Sequence, residues 1–430
     1  MLTRRKFLAA SATAPVVFSR ASALAANEKL TLGFIGVGTM GRGHLGAFLG
    51  RPEVEVVAVC DVVKERLDGA KTTVEKRYAD RTKSGVYKGV TPYTDFRELL
   101  AHKGLDAVVI ATPDHWHHIP CVLAARAGKH IYCEKPLTHN VAEGREIVNE
   151  VKKAKIVFQT GSQQRSEFGN RFRAAVEMIW NGWIGTVKTV RIGVGGPARP
   201  CDLKGEAKPE GTDWDTWLGP APEREYSSVL CPKGVHAHFP AWRDYQEFAG
   251  GQIADMGAHH FDIAQWALKM DTSGPVEIIP PENPKKGSGL RFVYKNGVTM
   301  IHNEFEKDKD GKEIAKADCV FEGTDGTILV GRGQLELRSK NGTPVKFPDQ
   351  PQRVYPSTSH HKNWLECVVS GKETICPAET GHRSASICHL GNIGYRLGRK
   401  LKWDAAKELF VDDEKANKEL SREPRAKWKL

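Results

Sequence analysis

Residues 30–41 read Leu-Thr-Leu-Gly-Phe-Ile-Gly-Val-Gly-Thr-Met-Gly, an apolar run that ends directly in Gly36-x-Gly38-x-x-Gly41. Such a glycine set means little alone, but between a strand and a helix it constrains the fold strongly. Gly36 permits the tight turn, Gly38 lets the backbone approach a pyrophosphate, and Gly41 lets helix and strand pack closely. Thr39 and Met40 open the helix, whose unpaired N–H groups and positive dipole end face the phosphates. Asp61 closes a second apolar run at 54–60, near the usual spacing of about 20 residues, where a carboxylate binds both ribose hydroxyls. Its charge repels a 2′-phosphate, so NAD is the expected cofactor; Lys64 and Arg66 nearby keep NADP open.

Beyond that unit, apolar strand-like runs at 107–111, 130–133 and 156–160 alternate with helical patterns at 117–127 and 141–153. This grammar predicts a parallel sheet covered by helices on both faces. After residue 161 it changes. A connecting helix at 170–180 and a strand at 187–194 precede an irregular stretch rich in Trp, Pro and Gly up to about 249. Asn296-Gly297, Asp325-Gly326 and Asn341-Gly342, each flanked by β-rich runs, then signal hairpins. The expected architecture is an α/β Rossmann domain at 26–160 and an α+β domain with a large, mostly antiparallel open sheet at 161–385. A C-terminal helical segment and charged tail follow at 386–430.

The chain has 430 residues, enough for two cores, and its 40% hydrophobic and 27% charged content fits a globular enzyme. The formal net charge is +11, of which Arg4, Arg5, Lys6 and Arg20 supply four, leaving +7 for the rest. The remaining basic residues are interspersed with acids, which excludes a built nucleic-acid face. Residues 1–25 read as a twin-arginine signal: Arg4-Arg5-Lys6-Phe7-Leu8, a modest apolar stretch, then Ala23-Leu24-Ala25 as a cleavage site. That stretch is shorter than the roughly 20 residues of a membrane span, so no stable membrane insertion is expected. The expected destination is periplasmic or otherwise extracytoplasmic. None of the nine cysteines forms a C-x-x-C pair, and sequence chooses no disulfide.

Three segments carry candidate chemistry. Ala111-Thr112-Pro113-Asp114-His115-Trp116-His117 follows the third buried strand, at the edge where such sheets bind ligands. Thr112 and Pro113 line the nucleotide path, and His117 suits cofactor packing better than metal ligation; no metal site is expected. Glu134-Lys135-Pro136 follows the fourth buried strand. On spacing alone, Lys135 is either a group beside the cofactor or a salt-bridging surface Lys. In Gly250–Asp262, helical spacing places Asp255, His259 and Asp262 on one face. An imidazole near its ordinary pKa of about 6.5 suits taking an alcohol proton. For Trp214, Trp217, Trp242 and Tyr245 two readings stand, stacking on a sugar ring or packing their own loop; Gln163 and Arg243 suit hydroxyl binding.

Taken in order, G-x-G-x-x-G, the acid ending strand two, A-T-P-x-x-x-H, E-K-P and G-G-x-x-x-D-x-G-x-H-x-x-D resemble the glucose-fructose oxidoreductase / inositol dehydrogenase / MocA (Gfo/Idh/MocA) family. The likeness runs over most of the chain after the signal. Asp114-His115-Trp116-His117 and Trp214–Pro220 look like its exported branch. The resemblance implies a nicotinamide cofactor held by the glycine turn, Asp61, Thr112, Pro113, His117, Glu134 and Lys135. It implies catalysis by Lys135 and His259 supported by Asp255, and a homo-oligomer, dimer or tetramer. Gln163, Trp242 and Arg243 join the catalytic three as expected substrate contacts. Dehydrogenation of a sugar, sugar acid or cyclitol is the first expectation, with tightly bound NAD. The alternative is glycoside cleavage through transient oxidation and elimination. The N-acetylgalactosaminidases of that type replace the Lys of E-K-P, so Lys135 favours the first. A non-catalytic sugar-binding protein is the third.

Overall fold

The computed structural model describes residues 29–430 apart from 308, 311–312, 314–315 and 341–350. The expected export signal at 1–25 and the expected Asn341-Gly342 turn lie outside the described residues.

Six strands form the first sheet: β1 (Leu30–Ile35), β2 (Val54–Cys60), β3 (Thr91–Tyr93), β4 (Ala107–Ile110), β5 (His130–Cys133) and β6 (Phe158–Thr160). Their order is β3-β2-β1-β4-β5-β6, with every pairing parallel. Strand order reverses between β1 and β4, and a crevice opens there at the carboxyl ends. β4 is buried along its whole length because helices cover both faces. On one face lie Phe96–Leu100, His118–Arg126 and Val141–Ala154. On the other lie α1 (Thr39–Leu49) and Lys64–Arg77. The helix Lys64–Arg77 is followed by the short helix Ala79–Lys83.

The second sheet has nine strands: β7 (Val187–Ile192), β8 (Glu277–Ile279), β9 (Arg291–Val293), β10 (Thr299–His302), β11 (Cys319–Gly323), β12 (Gly326–Val330), β13 (Leu335–Ser339), β14 (Leu401–Asp404) and β15 (Leu409–Phe410). Their order is β13-β12-β11-β7-β10-β9-β8-β14-β15, antiparallel everywhere except between β7 and β10. The Asn296-Gly297 and Asp325-Gly326 turns join β9 to β10 and β11 to β12, as the dipeptides signal. Helices Arg171–Trp180, Gly257–Ala267 and Ala378–Leu397 cover the inner face.

Two features depart from a succession of domains along the chain. Helix His360–Ser370 returns to the first sheet and places Trp364, Leu365 and Val368 in its core beside Phe48. The helix Ala378–Leu397 runs across the expected boundary at 385/386 and packs on both Val141–Ala154 and Gly257–Ala267. The final segment is less helical than expected, since β14 and β15 extend the second sheet. Its charged tail is docked: Arg422 donates to the His115 carbonyl at 2.6 Å, and Lys427 pairs with Asp215 at 2.8 Å.

Candidate active site

A cleft of about 430 Å³ opens at the carboxyl ends of β1, β2, β4 and β5 and continues toward the second sheet. The glycines divide their work by position. Gly36 has φ +82°, and a Cβ there would sit 2.9 Å from the backbone of Ala111 and Thr112. At Gly41 a Cβ would lie 2.0 Å from the Gly36 carbonyl oxygen, so only glycine lets α1 approach β1. A Cβ on Gly38 would meet nothing within 4 Å, because this residue faces open cleft where the helix begins. Gly38 has no side chain to cap α1, so the first N–H groups of that helix remain for an anion.

Asp61 ends β2 with its carboxylate accepting from Val37 N at 2.9 Å and Val63 N at 2.9 Å. It fastens the glycine turn while lining the cleft. Burial pushes its pKa up, against the pull of Arg66 and these backbone donors. Lys64 turns out to Asp68 at 2.5 Å, and Arg66 gives its guanidinium to the carbonyls of Gly234 (3.0 Å) and Pro232 (2.5 Å). Lys64 is thus paired away from the cleft, whereas Arg66 lines it beside Asp61 with its guanidinium anchored on those two carbonyls. The donor set and the space at Gly38 fit NAD.

Thr112 and Pro113 line the cleft; His117 does not. Its ring is buried between the carbonyl oxygens of Pro136 (2.8 Å) and Thr112 (2.9 Å), joining the turns after β4 and β5. His117, expected to touch the cofactor, lies outside the cleft lining and braces two loops that line it. Glu134 lines the cleft and is held by His44 Nε2 at 2.8 Å and Gln163 Nε2 at 2.9 Å. Burial opposes its charge, but these donors and Lys135 bring its pKa down to about 2.

Lys135, Asp255 and His259 converge on the same cleft. Lys135 Nζ donates to Asp255 Oδ1 at 2.7 Å and to the Asp255 carbonyl at 2.9 Å. Arg243 Nε lies 3.5 Å from the same Oδ1. Asp255 is mostly buried, and Lys135 and Arg243 hold its pKa below the ordinary value despite desolvation. His259 lines the cleft at 5% exposure, and its Nδ1 is buried with no partner among the described residues. Its pKa does not stay near the usual imidazole value: burial, Lys135 and Arg332 push it well down. It therefore stands as a neutral base.

Asp262, expected on the face of Asp255 and His259, lies beyond the cleft. It is fully buried and takes a bidentate pair from Arg165 at 2.8 Å, with Ser384 donating at 2.7 Å. The expected single face is broken: Asp255 ends the short helix Gln252–Asp255, whereas Asp262 lies in the next helix, Gly257–Ala267, and packs against the last long helix.

Gln163, Trp242 and Arg243 line the cleft as expected of substrate contacts. Arg243 stacks over Trp242 at 4.1 Å. Trp214 lies flat on Trp217, with centroids 4.7 Å apart at 13°, in an apolar cluster that includes Tyr245 and Phe248. Trp217 and Trp242 reach the cleft, whereas Trp214 and Tyr245 pack their own loop. Sequence reasoning passed over Asp114, Arg332, Phe168 and His236, which also line it. Only Asp114 had a signal, one residue beyond Thr112-Pro113.

The loop before the Trp242 turn closes over the nucleotide end. Thr39 Oγ1 donates to the His238 carbonyl at 2.9 Å, Arg42 donates to the His236 carbonyl, and Arg66 holds Gly234 and Pro232. The same long segment is tied to the end of β2 through Lys64 N to Gly211 O at 2.9 Å and Asp213 N to Val62 O at 2.9 Å.

Residues 30–162 match the family profile described as an oxidoreductase family NAD-binding Rossmann fold. Residues 199–430 match the profile described as the C-terminal alpha/beta domain of that oxidoreductase family. The chain is 32% identical over 281 residues to myo-inositol 2-dehydrogenase of Thermotoga maritima, across 65% of this chain and 62% of that protein. It thus spans less than two thirds of that relative's length. A shorter stretch of 122 residues, 28% of this chain and 26% of the relative, is 35% identical to an alpha-N-acetylgalactosaminidase of Shewanella oneidensis. The WlbA dehydrogenase from Bordetella pertussis, solved with NADH and UDP-GlcNAcA, shares the fold. Its TM-score is 0.59 at 18% identity, over 88% of this chain and 99% of that one. Glycine turn, acid-terminated β2, cleft-facing lysine and α/β C-terminal half agree with both profiles: the chain belongs to the NAD-binding Gfo/Idh/MocA oxidoreductase family.

Proposed function

We propose that this protein oxidises a ring carbon of a sugar, sugar acid or cyclitol. The observation that carries the reading is the Lys135–Asp255 pair, set with the neutral His259 in the cleft that Gly38 opens. NAD, when bound, supplies a hydride acceptor. Lys135 hydrogen-bonds the oxygen of the reacting hydroxyl and balances its charge as the proton leaves. His259 Nε2 takes that proton, so one hydride and one proton leave the alcohol together. Asp255 fixes the Lys135 ammonium, while Gln163, Trp242 and Arg243 hold the rest of the ring. Sugar or cyclitol substrates are supported by the inositol dehydrogenase likeness.

The enzyme acts outside the cytoplasm after twin-arginine export and assembles as a homo-oligomer. A cofactor loaded before export stays bound, consistent with a loop fastened over the glycine turn. The second reading, net glycoside cleavage, is supported by the segment shared with the galactosaminidase. The test is to purify the folded protein, look for bound nicotinamide by fluorescence, and add free sugars, inositol and nitrophenyl glycosides. Cofactor reduction by a sugar supports oxidation; aglycone release without net redox supports cleavage. If Lys135→Ala and His259→Ala both turned over like the parent, the assignment fails.

A further inference from the structure

Asp114 is an acid of the cleft that the reaction just described does not use. It is 4% exposed and lines the cleft, yet no side chain among the described residues bonds its carboxyl; the donor beside it is its own backbone N–H. The segment that carries it is fixed from every side. His115 N donates to the Phe248 carbonyl (3.1 Å), and Trp116 Nε1 donates to the Trp217 carbonyl (2.9 Å). Arg422 donates to the His115 carbonyl (2.6 Å), and His117 lies between two carbonyls. A carboxyl on so rigid a turn is placed, not swept there by a mobile loop.

Its charged neighbours are Arg243 from the 241–244 turn, Asp255 from the short helix Gln252–Asp255, and Lys135 after β5. Both cations are already committed to Asp255, at 2.7 and 3.5 Å. Asp114 therefore lies in a desolvated place where burial works against its charge, Arg243 and Lys135 favour the charge, and the second carboxylate of Asp255 opposes it. His115 and His117 on its own segment are neutral by burial and add no charge. His259 feels Lys135 and Arg332 instead. Asp114, Arg243, Lys135, Asp255, His259 and Arg332 all line the same cleft.

We propose that Asp114 is a substrate-contacting residue that works as a neutral carboxylic acid, donating a hydrogen bond to a substrate oxygen other than the one His259 deprotonates. The substrate then offers Asp114 an acceptor oxygen, ring or glycosidic. Burial and Asp255 raise the pKa of this carboxyl to about 8, so the donor is lost above that pH. The proposal rests on the cleft being the sugar site.

The test has two arms. In the first, infrared difference spectra of the NAD-loaded full chain are compared with those of Asp114→Asn between pH 6 and 10. The expected result is a protonated-carboxyl C=O band in the parent that fades near pH 8 and is absent from the variant. No such Asp114-dependent band overturns the proposal. In the second arm, glucose, glucuronate and myo-inositol are the probes, and NADH fluorescence is the readout. Asp114→Asn, whose amide still donates, is expected within about threefold of the parent at pH 7 and flat through pH 9, whereas the parent declines. Asp114→Ala is expected to lose about tenfold in kcat/KM at pH 7, the scale of one buried hydrogen bond. An unimpaired Ala variant, or an Asn variant as impaired as Ala, overturns it. The infrared arm needs no turnover, so failure of all three sugars counts against sugar oxidation and leaves that arm decisive for Asp114.

Discussion

Lys135 grips Asp255 twice, through the carboxylate at 2.7 Å and the backbone carbonyl at 2.9 Å. Two of the three ammonium hydrogens are thereby spent on one residue, and the third is left for the cleft. Replacing Lys135 with Arg keeps the charge but not this point-like geometry. Lys135→Arg and Lys135→Ala are both expected to lower kcat by about 10²–10⁴, with bound NAD and far-UV circular dichroism unchanged. A Lys135→Arg enzyme with parental kcat would show that only charge matters there.

The loop fastened over the glycine turn gives a prediction about cofactor release. Arg66 spans the Gly234 and Pro232 carbonyls, and each charge-assisted bond is worth about 1.5–3 kcal/mol. Arg66→Ala is expected to speed NAD dissociation by about tenfold, the equivalent of about 1.4 kcal/mol. Rapid dilution with fluorescence detection of released nicotinamide measures it. Equal off-rates would mean the loop does not gate release.

Acid lability follows from the buried imidazoles. Burial lowers His260, His302 and His360 to about 4 and His115 and His389 to about 3. These folded-state values lie below the unfolded value of about 6.5, so the unfolded chain binds more protons between them. Stability is then full above about pH 6.5 and falls steadily toward pH 4. Urea midpoints at pH 7.5, 6, 5 and 4.5 should drop in that order; constant midpoints would contradict the neutral burial of these rings.

Asp262 is a structural acid. Removing it strands the Arg165 guanidinium, which is 2% exposed and otherwise paired to Asp271 at 2.7 Å. Breaking such a pair from one side costs about 3–5 kcal/mol. Asp262→Ala is expected to lower the urea midpoint accordingly, while any folded fraction keeps turnover per bound NAD close to that of the parent. A loss of turnover without loss of stability would return Asp262 to the catalytic group.

The parallel sheet and the glycine turn were legible because each rests on local pattern, whereas the grouping of Lys135, Asp255 and His259 is implied by the family resemblance. A strand feeding a glycine turn has few other solutions, and ligands collect at carboxyl edges for topological reasons. What stayed hidden depends on contacts distant in sequence. Nothing in the sequence around residue 262 says that Arg165 waits for it, and helical periodicity does not show that one helix ends at Asp255 and the next begins at Gly257. His117 reads as packing on the cofactor because it follows the nucleotide path in sequence, and only its bonds to the Pro136 and Thr112 carbonyls reveal a brace. Asp114 had a signal in its place beside Thr112-Pro113, but an acid's isolation is a property of its neighbours and did not show.

The return of helix His360–Ser370 to the first sheet bears on how the chain reaches this state. Phe48 and Trp364 meet edge to face at 5.7 Å across more than three hundred intervening residues. The Rossmann half therefore cannot close that side of its core as the chain emerges in order. It must wait with α1 incompletely covered until residues near 364 are available. Such high sequence separation slows folding and lengthens exposure of apolar surface. An isolated fragment ending near residue 162 would keep that uncovered flank, so the two halves ripen together as one cooperative unit.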